Sequence, residues 1–228
     1  MSTVTRPFPP PIQAILLDFD GLILDTETPI FEAWQGAYRR HGHELHLDDW
    51  QHALGTNGGF DPLARLQDLT GGLADPEALR REVQEANLRA CDQQALLPGV
   101  RALFEDAVRL GLRRGVASSS SRGWVEGWLE RHGIRGLIEA VCGRGDVDRV
   151  KPAPDLFLAA AARLAVAPAA CLVFEDSPNG LRAARAAGMR AVAVPNALTR
   201  RLTLPEHDLR VESLAERPLS AILATLAA

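Results

Sequence analysis

The chain has 228 residues, enough for a full hydrophobic core and a second, smaller domain. Its 46% hydrophobic and 24% charged residues suit an ordinary water-soluble protein, and a formal net charge of -4 argues against a broad nucleic-acid-binding surface. No apolar run approaches a membrane span, and the Pro-rich start, residues 1–11, lacks a signal peptide's apolar stretch and reads as a flexible tail.

In chain order, the first element is a buried strand at 13–19. It ends in two carboxylates, Asp18 and Asp20, followed by Gly21. Taking a carboxylate out of water is costly unless something pairs with it. From 29 to 95 no strand pattern occurs; amphipathic helical stretches at 30–41, 63–69 and 76–93 predict an inserted helical domain, a common way to place a lid over a site. Thereafter helices at 98–110, 123–132, 154–164 and 180–187 alternate with strands at 114–118, 138–142 (the weakest), 171–174 and 190–194. Gly111, Gly133 and Gly188 stand where helix stops are expected. Such alternation predicts an α/β fold, a Rossmann-like parallel-sheet core with helices on both faces and an inserted α-helical cap. The expected division is a tail at 1–11, a core at 12–28 and 96–228, and a cap at 29–95. Cys91, Cys142 and Cys171 are odd in number and form no CxxC pair, which suggests a reducing cytoplasm and no structural zinc.

Ligands of open parallel sheets gather at the carboxyl ends of the strands. There the sequence places Asp18-Phe19-Asp20-Gly21, then Ser118 to Ser121, then Lys151-Pro152-Ala153-Pro154, then Glu175-Asp176-Ser177-Pro178-Asn179-Gly180. Of 25 basic residues only Lys151 is a lysine, so the compact ammonium is either a chance survivor or required where it stands. Its arrival at the same sheet edge as the acids favours a requirement. Acids from two strand ends can share a divalent cation, and oxygen ligands without His or Cys suit Mg²⁺. Lys151, Ser118 and the backbone N–H groups after it, from Ser119 on, would face a phosphate. One aspartate could then attack phosphorus while the other protonates the leaving oxygen. Taken singly each signal has a plainer reading: a turn for DxDG, a loop for the serines, a helix start for KPxP and an N-cap for EDSxNG.

Together and in order, DFDGLILDTE, VASSS, VKPAPD and VFEDSPNG closely resemble the four motifs of the haloacid dehalogenase-like hydrolase superfamily. The resemblance runs from residue 12 to about 199 and is nearest to the small helical-cap members of β-phosphoglucomutase and phosphoglycolate phosphatase type. It implies Asp18 as nucleophile and Asp20 as general acid/base, with Ser118 and Lys151 on the transferring phosphoryl group. It further implies Mg²⁺ on Asp18, Asp176 and the backbone carbonyl of Asp20, with Glu175 ligating directly or through water. Gly21 to Asp25 would form a flap that couples cap movement to the site.

The expected function is therefore a Mg²⁺-dependent phosphomonoester hydrolase acting through an aspartyl phosphate on a small phosphorylated metabolite, a sugar phosphate above all. Specificity is expected from Glu27, Asn57 and Gly58. A phosphomutase of the β-phosphoglucomutase kind is the alternative. That group carries a histidine shortly after the first motif and an arginine in the cap loop, where this chain has Thr28-Pro29-Ile30 and Gly55 to Gly59. A receiver-like phosphate-sensing domain, the non-enzyme alternative, lacks the DxD acid/base and a cap. No nucleic-acid or membrane partner is expected, the expected location is the cytoplasm, and a monomer is the expected state. Trp34, Trp124 and Trp128 are expected to pack, and His41, His43, His46 and His52 match no zinc spacing. Asp25 either faces substrate or caps the first cap helix.

Overall fold

The structure is a computed structural model that describes residues 11–54 and 59–227. The expected specificity residues Asn57 and Gly58, and residues 1–10 of the expected tail, lie outside the described residues. Strands β1 (Ala14–Leu17), β2 (Arg113–Ser121), β3 (Ala140–Arg144), β4 (Cys171–Glu175), β5 (Arg190–Ala193) and β6 (Leu209–Arg210) form one sheet in the order β3-β2-β1-β4-β5-β6, every pairing parallel. This is the predicted Rossmann-like α/β core.

The alternation of side chains along β1 explains why the sheet is covered on both faces. Ile15 and Leu17 join one apolar cluster with α5 (Val100–Arg109), α6 (Arg122–Arg131) and α9 (Leu219–Ala227); Ala14 and Leu16 join the other with α7 (Asp155–Arg163) and α8 (Pro178–Ala186). The helix stops at Gly111, Gly133 and Gly188 have φ of 70°, 63° and 71°. Two boundaries moved. The serine run, predicted as a loop after residue 118, continues β2 to Ser121 across a register shift against β3, and β3 starts two residues later than the pattern suggests.

Between β1 and α5 lie α1 (Glu27–Arg40), α2 (Leu47–Trp50), α3 (Pro62–Thr70) and α4 (Pro76–Cys91). Proline opens α3 and α4, where its missing N–H is harmless, and Asp61 and Asp75 accept the free N–H groups of the first turns. These helices build their own apolar cluster around Phe31, Trp34, Tyr38, Trp50, Leu66 and Val83. Helix α1 begins three residues before the predicted start. Asp25 Oδ1, one residue before the N-cap Thr26, accepts the Thr28 N–H at 3.0 Å, a capping contact, and Pro29 sits in a first turn that requires no donor from it. The short α2, β6 and α9 are absent from the pattern reading; β6 is two residues long and α9 is apolar almost throughout, so neither displays a period.

Candidate active site

The carboxyl ends of β1, β2 and β4, with the loops that follow β3 and β5, converge at one edge. Pairing with β4 continues one residue past β1, the Asp18 N–H donating to Phe174 O at 3.1 Å. The chain then turns at Gly21, whose φ is 82°. A side chain there would be strained and would also strike Asn196 Nδ2 at 2.5 Å and Asp176 Oδ2 at 2.9 Å, so glycine is required twice over.

Lys151 is 1% exposed, among the most buried side chains of the chain. Its Nζ donates to Asp18 Oδ1 and to Glu175 Oε2, the latter at 2.8 Å, and lies 4.7 Å from the centre of the Phe157 ring. Burial alone would pull this ammonium down, but the Asp18 and Glu175 carboxylates outweigh it and hold it above its ordinary range. The other oxygen of Glu175 accepts the N–H and O–H of Ser177 at 3.1 and 2.8 Å. Gly180 faces that carboxyl so closely that a Cβ would fall 1.9 Å from Glu175 Cδ.

Asp176 Oδ2 accepts from Asn196 Nδ2 at 2.7 Å, whereas Asp176 Oδ1 is buried with no hydrogen-bond partner. One oxygen from each of Asp18, Glu175 and Asp176 lies within 4.8 Å of the others, and among the described residues these three alone make a group able to hold a metal. The cluster carries more acid than Lys151 can neutralise. Burial, then the charge of Glu175, pushes Asp18 up to about 8 despite Lys151 beside it. Burial, followed by the charges of Glu175 and Asp18, raises Asp176 well above the usual carboxylate range. A buried carboxylate oxygen without a donor, amid carboxylates that resist ionisation, suits a hard cation, so the donor set fits a divalent ion such as Mg²⁺.

Asp20 is held separately. Thr26 Oγ1 and Trp124 Nε1 donate to its Oδ1 at 2.8 and 3.0 Å, and Ser118 Oγ donates to its Oδ2 at 2.9 Å. The expectation that Trp124 only packs is thus corrected: its ring does pack, but its N–H belongs to the site. Trp34 and Trp128 lie in the apolar clusters as expected. The four motifs assign to Thr26, Trp124 and Asn196 no contact with these acids. Asn196 does carry a signal in the sequence, since it follows the end of β5 at the same sheet edge as the other strand-end residues.

A cavity of 420 Å³ opens over this edge, with Asp18, Asp20 and Ser119 on one side and α1 and α4 on the other. Glu27 lines it, and burial, then the charges of Asp20 and Asp18, pushes its carboxyl well up. Ile30, Trp34, Trp50 and Phe60 supply apolar wall, while Arg80, Gln84 and Asn87 present one polar stripe of α4. Of the cap histidines, His41 binds Ala37 O at 2.9 Å and none joins a metal-ligating group.

A family model for haloacid dehalogenase-like hydrolases matches residues 12–188. YhcW of Bacillus subtilis is 42% identical over 212 residues, covering 93% of this chain and 96% of its own. The fructose-1-phosphate phosphatase YqaB of Escherichia coli is 37% identical over 185 residues, covering 79% and 95%. The crystal structure of CbbY from Rhodobacter sphaeroides in complex with phosphate superposes with a TM-score of 0.74 at 31% identity, covering 92% of this chain and 98% of that one. The fold and the site thus define an α/β hydrolytic enzyme with phosphatases among its relatives. This chain belongs to the haloacid dehalogenase-like hydrolases, as its four motifs led one to expect.

Proposed function

We propose that the chain is a Mg²⁺-dependent phosphomonoester hydrolase for a small organic phosphate of the sugar-phosphate class. The carrying observation is the buried Lys151 joined to Asp18 and Glu175 beside the orphaned Asp176 Oδ1. Asp18, Asp176 and the backbone carbonyl of Asp20 would hold the metal, with Glu175 as a direct or water-mediated ligand. Bound there, Mg²⁺ would neutralise the acidic cluster and draw phosphoryl oxygens toward it. Lys151, Ser118 and the backbone at Ser119 would face the same phosphoryl group from the other side.

Asp18 attacks phosphorus to form an acyl phosphate, and Asp20 gives its proton to the departing ester oxygen. Water then attacks phosphorus, its proton passes to Asp20, and phosphate leaves with Asp18 restored. Ile30 supports hydrolysis over a mutase, because an apolar side chain with no proton to exchange lines the cavity shortly after the first motif. Residues 29–95 act as a cap that selects the leaving group, over a core of residues 12–28 and 96–228. The aromatic and polar walls of the cavity suit a sugar, read in part by Glu27, with Asn57 and Gly58 as the further specificity residues the sequence suggests. The relative YqaB, named for fructose 1-phosphate, accords with that class. Among the described residues no helix is long and apolar enough to cross a membrane, and all three cysteines are free and buried, which accords with a cytoplasmic location.

The test is phosphate release from p-nitrophenyl phosphate with Mg²⁺ and with a chelator, followed by a panel of sugar phosphates, phosphoglycolate and nucleotides. Turnover that requires Mg²⁺ and is fastest on a sugar phosphate is expected. No turnover on any ester would overturn the proposal.

A further inference from the structure

Asp20 is gripped by a side chain that none of the four motifs supplies. Trp124 stands in the first turn of α6, its backbone N–H donating to Ser121 Oγ at 3.3 Å. Its ring meets Trp128 nearly edge-on, with centroids 5.5 Å apart at 76°. The indole is therefore fixed by the helix start and by packing before Asp20 is considered. From that seat Nε1 reaches Asp20 Oδ1 at 3.0 Å, and the ring also lines the cavity.

The three donors on Asp20 are not equivalent. The hydroxyls of Thr26 and Ser118 can donate or accept, and each can turn away. An indole N–H only donates, and a ring held by packing cannot rotate freely. Oδ1 must therefore serve Trp124 as an acceptor and also takes the Thr26 hydroxyl, whereas Oδ2 takes one donor, Ser118 Oγ, and so keeps a lone pair able to carry a proton toward a leaving group. We propose that Trp124 is a positioning residue for leaving-group protonation, fixing the Asp20 carboxyl so that Oδ2 is the oxygen presented to the ester. This rests on the reading of Asp20 as the general acid proposed above.

The experiment compares kcat/KM for phenyl phosphate and p-nitrophenyl phosphate, two esters of like size. Phenolate is a poor leaving group that needs a proton, whereas p-nitrophenolate departs with little help. Trp124→Phe keeps a ring and removes the N–H. It is expected to lower kcat/KM on phenyl phosphate by roughly 10-fold, the effect of one hydrogen bond to a charged group, and on p-nitrophenyl phosphate by under about 2-fold. Both rates are read on one preparation, so their ratio is independent of the folded fraction; Trp124→Leu serves if the Phe variant does not fold. Trp128→Phe alters the packing alone and should leave the ratio unchanged. Asp20→Asn separates the two claims. If it shows no selective loss on phenyl phosphate, the general-acid reading fails. If it does, and Trp124→Phe slows both esters equally or Trp128→Phe shifts the ratio as much, Trp124 is structural and the inference is overturned.

Discussion

At the carboxyl edge of the sheet Asp18, Lys151, Glu175 and Asp176 are at most 4% exposed, and each is held by another member or by a neighbouring loop. Across the cavity Arg80 is half exposed, and its ion pair with Asp61 spans 3.6 Å. Both walls carry charge, but burial decides what the charge can do. At the edge little water screens the groups, so the charge left behind decides the outcome: removing Lys151 leaves two acids uncompensated, whereas removing an acid relieves their repulsion. On the helices solvent screens the charges, and an exposed pair contributes little. On the proposed reading, chemistry is tied to particular side chains on one wall, while the other can vary with the ester it admits.

Substitutions should expose that asymmetry. Asp18→Asn is expected to lower turnover by about 10⁴-fold or more while leaving the metal-free protein as stable as before, or more so, because it removes a charge that burial opposes. Steady-state kinetics and a thermal melt in chelator check both halves; retained turnover would reassign the nucleophile. Lys151→Met strands Asp18 and Glu175 together and should cost about 3–5 kcal/mol in a denaturant melt. Gly180→Ala should destabilise by about 1–3 kcal/mol, because the new methyl meets the Glu175 carboxyl. In an open helix the same change would stabilise by up to about 1 kcal/mol, so the sign of the melt shift is the test.

Metal and pH should act together at the edge. Asp18 rises from 3.8 to about 8 on burial, so the folded state binds a proton that the unfolded chain releases. That contribution is fully present below the unfolded value and is lost as pH rises through the folded one; Asp176 and Glu27 shift in the same direction. In chelator the melting temperature is expected to fall from pH 4 toward pH 8, at about the limits of the Asp18 shift. Mg²⁺ should raise it, and more at pH 8 than at pH 5, by taking the place of that proton. An Mg²⁺ effect independent of pH would remove the carboxylate cluster as its site. The smallest effect belongs to the other wall: Arg80→Ala should change kcat on p-nitrophenyl phosphate by under about 3-fold and leave the Mg²⁺-dependent melt untouched.

Much of the edge was legible because its motifs are local. A strand end followed by Asp18-Phe19-Asp20-Gly21 puts two acids on one face by backbone geometry, and a lone lysine stands out against 24 arginines. Thr26, Trp124 and Asn196 were not legible in the same way. Thr26 lies six residues from Asp20, Trp124 lies 104 away, and Asn196 lies 20 from Asp176; none of those separations follows a strand or helix period. Trp124 in particular has the helical spacing of a packing residue, and only its N–H distinguishes it from one.

Composition, periodicity and the order of four motifs determined the α/β class, the inserted helices and the acids with their lysine, since these depend on backbone period and on residue chemistry. The tertiary structure alone decided which oxygen is held by which donor. Closing the sheet brought Lys151 between Asp18 and Glu175, left Asp176 Oδ1 without a partner, and swung the Trp124 indole onto Asp20. The reason is physical: the spacing of residues along a chain sets which face a side chain occupies, but a hydrogen bond is fixed to a few tenths of an ångström by packing from elements far apart in sequence.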